Sequence, residues 1–160
     1  MEYYCEFESP LGRLTLVCDG ESLTGLYLPG QGFSVGNRLF REDLPVFQKT
    51  KAWLVCYFSG NPGPVDFPVK SCGTAFQQRV WEILKSIPWG EIRTYGSIAR
   101  EISETMSAQA VGGAVGRNPI SIVIPCHRCV GAGGRLTGYA GGLTAKQYLL
   151  QLEANSHDCK

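Results

Sequence analysis

The chain has 160 residues, of which 44% are hydrophobic and 18% charged, with a formal net charge of +1. That apolar content is enough for one compact core or two small ones and excludes a disordered chain. So little net charge excludes a generic polyanion binder, so a nucleic-acid contact must rest on a local patch, backbone amides or helix ends. Met1-Glu2-Tyr3-Tyr4-Cys5-Glu6 lacks the basic and apolar segments of a signal peptide, and no apolar run approaches the ~20 residues a membrane helix needs. The expectation is a soluble cytoplasmic protein, nuclear in a eukaryote. Seven cysteines without regular spacing argue for a reducing compartment and against a disulfide scaffold.

Tyr3 to Glu8 and Arg13 to Cys18 flank Ser9-Pro10-Leu11-Gly12, which reads as two strands and a turn, and Leu23 to Leu28 reads as a third strand. Apolar residues at 46, 47, 54, 57 and 58 give Leu44 to Phe58 a helical spacing, which Gly60-Asn61-Pro62-Gly63-Pro64 ends. A domain boundary is expected near Ser71. Thr74 then caps a helix whose stripe is Phe76, Val80, Ile83, Leu84 and Ile87, ending at Pro88, with Trp81 in the core. Thr94 caps Tyr95 to Ile102 and Ser107 caps Ala108 to Val115, two short helices that fit a helix-turn-helix. The second carries Ala108, Ala110, Gly112, Gly113, Ala114 and Gly116. Glycine inside a helix costs about 1 kcal/mol relative to alanine, so this bareness calls for a reason such as close approach of another backbone or tight core packing.

The β-branched run Ile122, Val123, Ile124 reads as a short buried strand that breaks at Pro125 and delivers Cys126 to a loop. A thiol with a pKa of about 8.5 needs a base to become a nucleophile. His127 is one of two histidines in the chain. Neighbouring side chains in extended backbone point apart, so a water relay between the two is expected. A glycine-rich loop from Val130 to Gly142 follows, then a helix from Leu143 to Ala154 with Leu149, Leu150 and Leu152 for packing.

Taken in order, Gly73-Thr74-Ala75-Phe76-Gln77-Gln78-Arg79-Val80-Trp81, Gly90-Glu91 with Thr94-Tyr95, Ala110-Val111-Gly112-Gly113-Ala114, Asn118-Pro119, Ile124-Pro125-Cys126-His127-Arg128 and Thr137-Gly138-Tyr139-Ala140-Gly141-Gly142 resemble the O6-alkylguanine-DNA alkyltransferases. The resemblance is strongest from Gly73 to Glu153. It implies an α/β fold: a small amino-terminal α/β domain with an antiparallel, ribonuclease-H-like sheet over 1–70, and a mainly helical carboxy-terminal domain with a helix-turn-helix over 71–160. It further implies single-turnover, irreversible transfer of an alkyl group from O6 of guanine, with O4 of thymine as a related position, in DNA to Cys126, after the damaged nucleotide is flipped out of the duplex. The implied partner is double-stranded DNA, met in the minor groove by a monomer that needs no cofactor and no metal.

By the same resemblance, Glu153 orients His127, Asn118 bonds backbone around the cysteine turn, Tyr95 donates a proton to the guanine ring and Lys146 assists it; a solvated helix-face lysine is the plain alternative for Lys146. Val115, Cys129, Tyr139 and Ala140 would form the base pocket. Thr74, Gln77, Ala108, Gln109, Gly112, Gly113 and Arg128 would meet DNA. Gln109 stands where the family typically carries an arginine that fills the gap left by the flipped base, so weaker duplex binding or slower flipping is expected.

Three other readings are open to these residues. Cys126 and Cys129 form the C-x-x-C spacing of thiol oxidoreductases, although such motifs normally open a helix. A lesion-binding module without chemistry is opposed by the presence of Cys126. Zinc held by Cys5 and Cys18 would lack histidine partners, since none precedes residue 127, so a four-ligand site would have to recruit Cys56 or Cys72 or remain incomplete.

Overall fold

Pro10 and Leu11 make the first reversal of the chain. Proline presets the turn, Gly12 takes φ +104°, and Ser9 Oγ donates to the Gly12 carbonyl at 2.7 Å while accepting from the Leu11 amide at 3.1 Å. The computed structural model, which describes residues 1–139 and 141–155, thereby pairs strand β1 (Tyr3–Ser9) antiparallel with β2 (Gly12–Cys18), with Cys5 opposite Leu16. β3 (Leu23–Tyr27) pairs antiparallel with β2. A short strand that the sequence did not announce, β4 (Leu39–Phe40), lies parallel to β1, so the order is β3-β2-β1-β4.

Helix α1 (Pro45–Phe58) starts with proline at its first position, where no amide partner is lost, and buries Val46, Phe47, Leu54 and Tyr57 in one core with Leu14, Leu16 and Leu26 of the sheet. Helix α2 (Ala75–Lys85) opens on a reciprocal cap. Thr74 Oγ1 accepts from the Gln77 amide at 3.1 Å, and Gln77 Oε1 accepts from the Thr74 amide at 3.0 Å. It ends at Lys85, short of the expected Pro88, where the Ser86 amide turns back to the Ile83 carbonyl. Helices α3 (Tyr95–Ile102) and α4 (Ala108–Gly116) start where expected, with Thr94 and Ser107 accepting from the amides of Ser97 and Ala110 at 3.0 Å each. Trp81 is 1% exposed, and its indole donates to the Ala114 carbonyl at 2.9 Å, joining α2 to α4. A two-residue parallel pairing of β5 (Arg93–Thr94) with β6 (Cys129–Val130) and the closing helix α5 (Leu143–Asn155) complete the chain. Among the described residues no helix is long and apolar enough to cross a membrane.

The outer edge of β3 is not left open. Leu23 exchanges bonds with Pro68 and Lys70, its amide donating at 2.8 Å and its carbonyl accepting at 2.9 Å. Leu26 does the same with Pro119 and Ser121 at 2.9 and 3.2 Å. The second segment leads directly into the cysteine turn, so the sheet edge is blunted and the turn is anchored by the same bonds.

The expected strand at Ile122–Ile124 is corrected. Ile122 sits at φ +73°, the Val123 amide bonds the Ser121 carbonyl at 2.8 Å, and the Ile124 amide bonds the Ile120 carbonyl at 3.0 Å. Ile122 and Ile124 are buried and Val123 partly so, which the apolar composition did report, but the backbone is satisfied by tight turns. A β-branched residue at positive φ is strained and persists only where its surroundings hold it.

Replacing Trp81 with Phe removes the donor to Ala114 while keeping an aromatic ring. The expected cost is about 1–2 kcal/mol, read from urea unfolding. An unchanged midpoint would show that this bond does not hold α4 in place.

Candidate active site

Cys126 is positioned by two features of the preceding backbone. Pro125, at φ −78° and ψ 66°, makes an inverse γ-turn in which the Cys126 amide bonds the Ile124 carbonyl at 2.7 Å. Asn118, only 4% exposed, clamps the segment from the other side. Its Nδ2 donates to the Ile124 carbonyl at 2.9 Å, and its Oδ1 accepts from the Ile120 amide at 3.0 Å. Cys126 then begins a single 3-10 turn, Cys126–Arg128. Its thiol is 5% exposed. Burial pushes its pKa up against the opposing pull of Asn118 and Lys146, so the resting group is a thiol rather than a thiolate.

The imidazole of His127 is fully buried and faces α5, where its Nε2 lies 2.6 Å from Glu153 Oε2. Glu153 is 1% exposed and holds three groups at once. Besides His127, Arg128 reaches it with Nε at 2.8 Å from Oε1 and Nη2 at 3.0 Å from Oε2, and the Tyr57 hydroxyl donates to Oε2 at 2.7 Å. Burial alone would raise the carboxyl pKa, but His127 and Arg128 together hold it down at about 2. A nitrogen that faces a carboxylate carries the proton, so Nε2 is the donor and Nδ1 the acceptor. Nδ1 is buried and makes no hydrogen bond among the described residues. Burial lowers the His127 pKa, with Glu153 pulling the other way.

On the far side of the cysteine stands a second polar set. Lys146, fully buried, donates from Nζ to the Thr137 carbonyl at 3.0 Å and to the Tyr95 hydroxyl at 3.4 Å, and the same carbonyl accepts from Tyr95 at 3.3 Å. Burial lowers the Lys146 pKa and raises that of Tyr95. Tyr95 and Thr137 line a cleft of about 710 Å³ whose walls also include Gln109, Gly112 and Tyr139, whereas Lys146 and Cys126 do not line it. The buried Tyr139 hydroxyl has Cys126 and Ser121 as neighbours but makes no well-formed hydrogen bond among the described residues. Helix α4 forms the outer rim. Val111, Ala114 and Val115 face the core, while Ala108, Gln109, Ala110, Gly113 and Gly116 are exposed. A methyl group added at Gly113 or Gly116 would meet nothing within 4 Å, and one at Gly112 would only touch the Tyr95 ring at 3.8 Å. Core packing therefore does not require these residues to be small, and the bare surface faces outward, beside the cleft.

Comparison with known families agrees with this arrangement. The ribonuclease-like domain of 6-O-methylguanine DNA methyltransferase matches residues 2–71, and the DNA binding domain of the same protein matches residues 75–155. The chain belongs to the 6-O-methylguanine DNA methyltransferase family. It is 46% identical over 153 residues to the methylated-DNA--protein-cysteine methyltransferase of Haemophilus influenzae, covering 94% of this chain and 86% of that one. The Mycobacterium tuberculosis protein of the same name is 44% identical over 153 residues, covering 96% and 93%. In three dimensions the chain resembles M. tuberculosis OGT in complex with DNA at a TM-score of 0.88 and 43% identity, over 96% of this chain and 94% of that one.

Within this methyltransferase fold, Cys126, His127, Glu153 and Asn118 meet at the cysteine turn, while Tyr95 lines the cleft and Lys146 bonds its hydroxyl. Other expected site residues stand differently. Arg128, expected to meet DNA, is turned inward. All three of its guanidinium nitrogens are committed, to Glu153 and, at 2.6 Å, to the Ile87 carbonyl. Val115, expected to line the base pocket, is 5% exposed within the core and does not border the cleft. Thr74 and Gln77 stay at the surface but use their side chains on each other. Ala140 lies outside the described residues. Cys129 is fully buried, and burial pushes its thiol up to about 12, so neither cysteine of the C-x-x-C pair has the lowered pKa a redox thiol needs. Cys5 and Cys18 are free buried thiols. The residue sequence reasoning missed is Tyr57. In the sequence it reads only as an apolar position of α1, and its partners are 70 and 96 positions away.

Glu153→Gln is expected to destabilise the protein at neutral pH by about 3 kcal/mol, because a buried ionised acceptor is lost. A carboxyl whose folded pKa is depressed contributes stability above its unfolded value of about 4.3 and loses it as pH falls through the folded value. The gap between parent and variant in urea unfolding should therefore be constant above about pH 5 and close as pH falls toward 2. A gap independent of pH across that window would contradict the ionised carboxylate.

Proposed function

We propose that this chain performs direct-reversal DNA repair, moving one alkyl group, typically methyl, from O6 of guanine to Cys126 Sγ, with O4-alkylthymine as a related substrate. The observation that carries the reading is a buried cysteine, histidine and carboxylate in sequence, set behind a cleft whose rim is a helix stripped of side chains. Double-stranded DNA is the partner. The small surface of α4 lets the helix lie close in the minor groove without reading bases, as suits a protein that must find damage in any sequence. The damaged nucleotide leaves the stack and enters the cleft, where Tyr139 offers a ring face. Gln109 stands at the rim and can bond the orphaned base, though without the charge an arginine would bring.

In the transfer, the thiol proton passes by way of a water to Nδ1 of His127, whose other nitrogen is held on Glu153. The sulfur attacks the alkyl carbon, the S–C bond forms, the C–O6 bond breaks, and its electron pair remains on the purine. Tyr95 supplies a proton to the purine as that charge develops, and Lys146, bonded to the same hydroxyl, supports the donor. No cofactor is required, because the reacting atoms come from Cys126 and the DNA. The thioether has no easy return to a thiol, so each molecule acts once. The chain is read as a monomer dividing near Ser71 into a support unit, 1–70, and an acceptor unit, 71–160. It works where its DNA is, in the cytoplasm or, in a eukaryote, the nucleus.

Intact-protein mass after mixing with an oligonucleotide carrying one O6-methylguanine tests this. One methylene equivalent per protein, absent in Cys126→Ala, is expected. Tight lesion binding without any addition would leave a binding module instead.

A further inference from the structure

We propose that Tyr57, contributed by helix α1 of the amino-terminal half, is a positioning residue for alkyl transfer: its hydroxyl tunes the Glu153 carboxylate and, through it, the readiness of His127 to take the proton of Cys126. This deepens the repair function proposed above and rests on it. The Tyr57 side chain is 1% exposed, and its hydroxyl donates to Glu153 Oε2 at 2.7 Å while standing 3.3 Å from His127 Nε2. The oxygen it reaches is the one that His127 holds at 2.6 Å and Arg128 Nη2 at 3.0 Å, so three donors share a single acceptor atom. The ring is fixed edge-on against Trp89 and Phe58 at 5.2 Å, so the hydroxyl has little freedom to point elsewhere.

The groups that set the charge at His127 come from three elements. Glu153 and Lys146 lie on α5, Arg128 and Cys126 adjoin it in the turn, and Tyr57 reaches it from α1. Arg128 balances the carboxylate with a full charge, whereas Tyr57 contributes one neutral hydrogen bond whose removal leaves every charge in place. Without that bond the carboxylate has one fewer donor and holds an imidazolium more strongly. More of His127 is then protonated at neutral pH and unable to act as a base.

The test is the single-turnover rate of methyl transfer from an O6-methylguanine duplex, followed from acid to alkaline pH, for the parent and for Tyr57→Phe, which keeps the ring. The expected result is a several-fold slower rate at neutral pH, with the acid limb moved about half a unit upward and the rate recovering at alkaline pH. A purely structural role would lower stability in urea and leave the limb where it was. A site-specific 3-fluorotyrosine at position 57, a stronger donor of nearly the same shape, should move the limb the other way, and it carries the test if the phenylalanine variant does not fold. Coincident profiles for both variants and the parent would overturn the role of Tyr57 while leaving the repair function standing. No transfer by the parent at any pH would overturn the repair function itself.

Discussion

A single buried carboxylate organises the cysteine turn of this molecule. Glu153 sits near the end of the last helix, yet it is bonded to His127 and Arg128 of the cysteine turn and to Tyr57 of the first helix. A carboxylate taken out of water is tolerated only when it is paired and its oxygens are occupied, so these three partners are constrained together. Because Arg128 already supplies a full positive charge, the imidazole next to it can remain neutral. That is the state in which Nδ1 can accept a proton.

The other constraint is backbone. Asn118 and the outer edge of β3 hold the segment from Pro119 to Ile124, including the strained Ile122, in a shape that leads into Pro125 and Cys126. The amino-terminal sheet thus does more than support its own helix. It grips the cysteine turn from one side through Leu26, while α1 reaches the relay from another through Tyr57. The side toward α4 is less tightly filled, and the bare face of that helix and the cleft beside it are where the protein has left room.

Much of this was legible in the sequence for identifiable reasons. The helix starts at Thr74, Thr94 and Ser107 were readable because a side-chain cap is a local event. Cys126, His127 and the first three strands were also readable, from local pattern and turn chemistry. What failed was information carried by distant partners. Ile122 to Ile124 looked like a strand because burial and extension leave the same apolar mark, and only the Asn118 clamp and the Leu26 pairing decide between them. Arg128 looked like a DNA contact until α5 supplied its carboxylate. Tyr57 looked like core because its hydroxyl partners lie in the other half of the chain. Strands β4 and β5 were two residues long, too short to leave a periodic signal.

The most direct test of the account is the protonation state of the His127 ring, read by nitrogen-15 NMR of the free protein at neutral pH. The account requires a neutral imidazole with the proton on Nε2, facing Glu153, and an unprotonated Nδ1. A doubly protonated ring, or a proton on Nδ1, would mean that His127 cannot receive the cysteine's proton, and the relay from Cys126 to Glu153 would have to be abandoned.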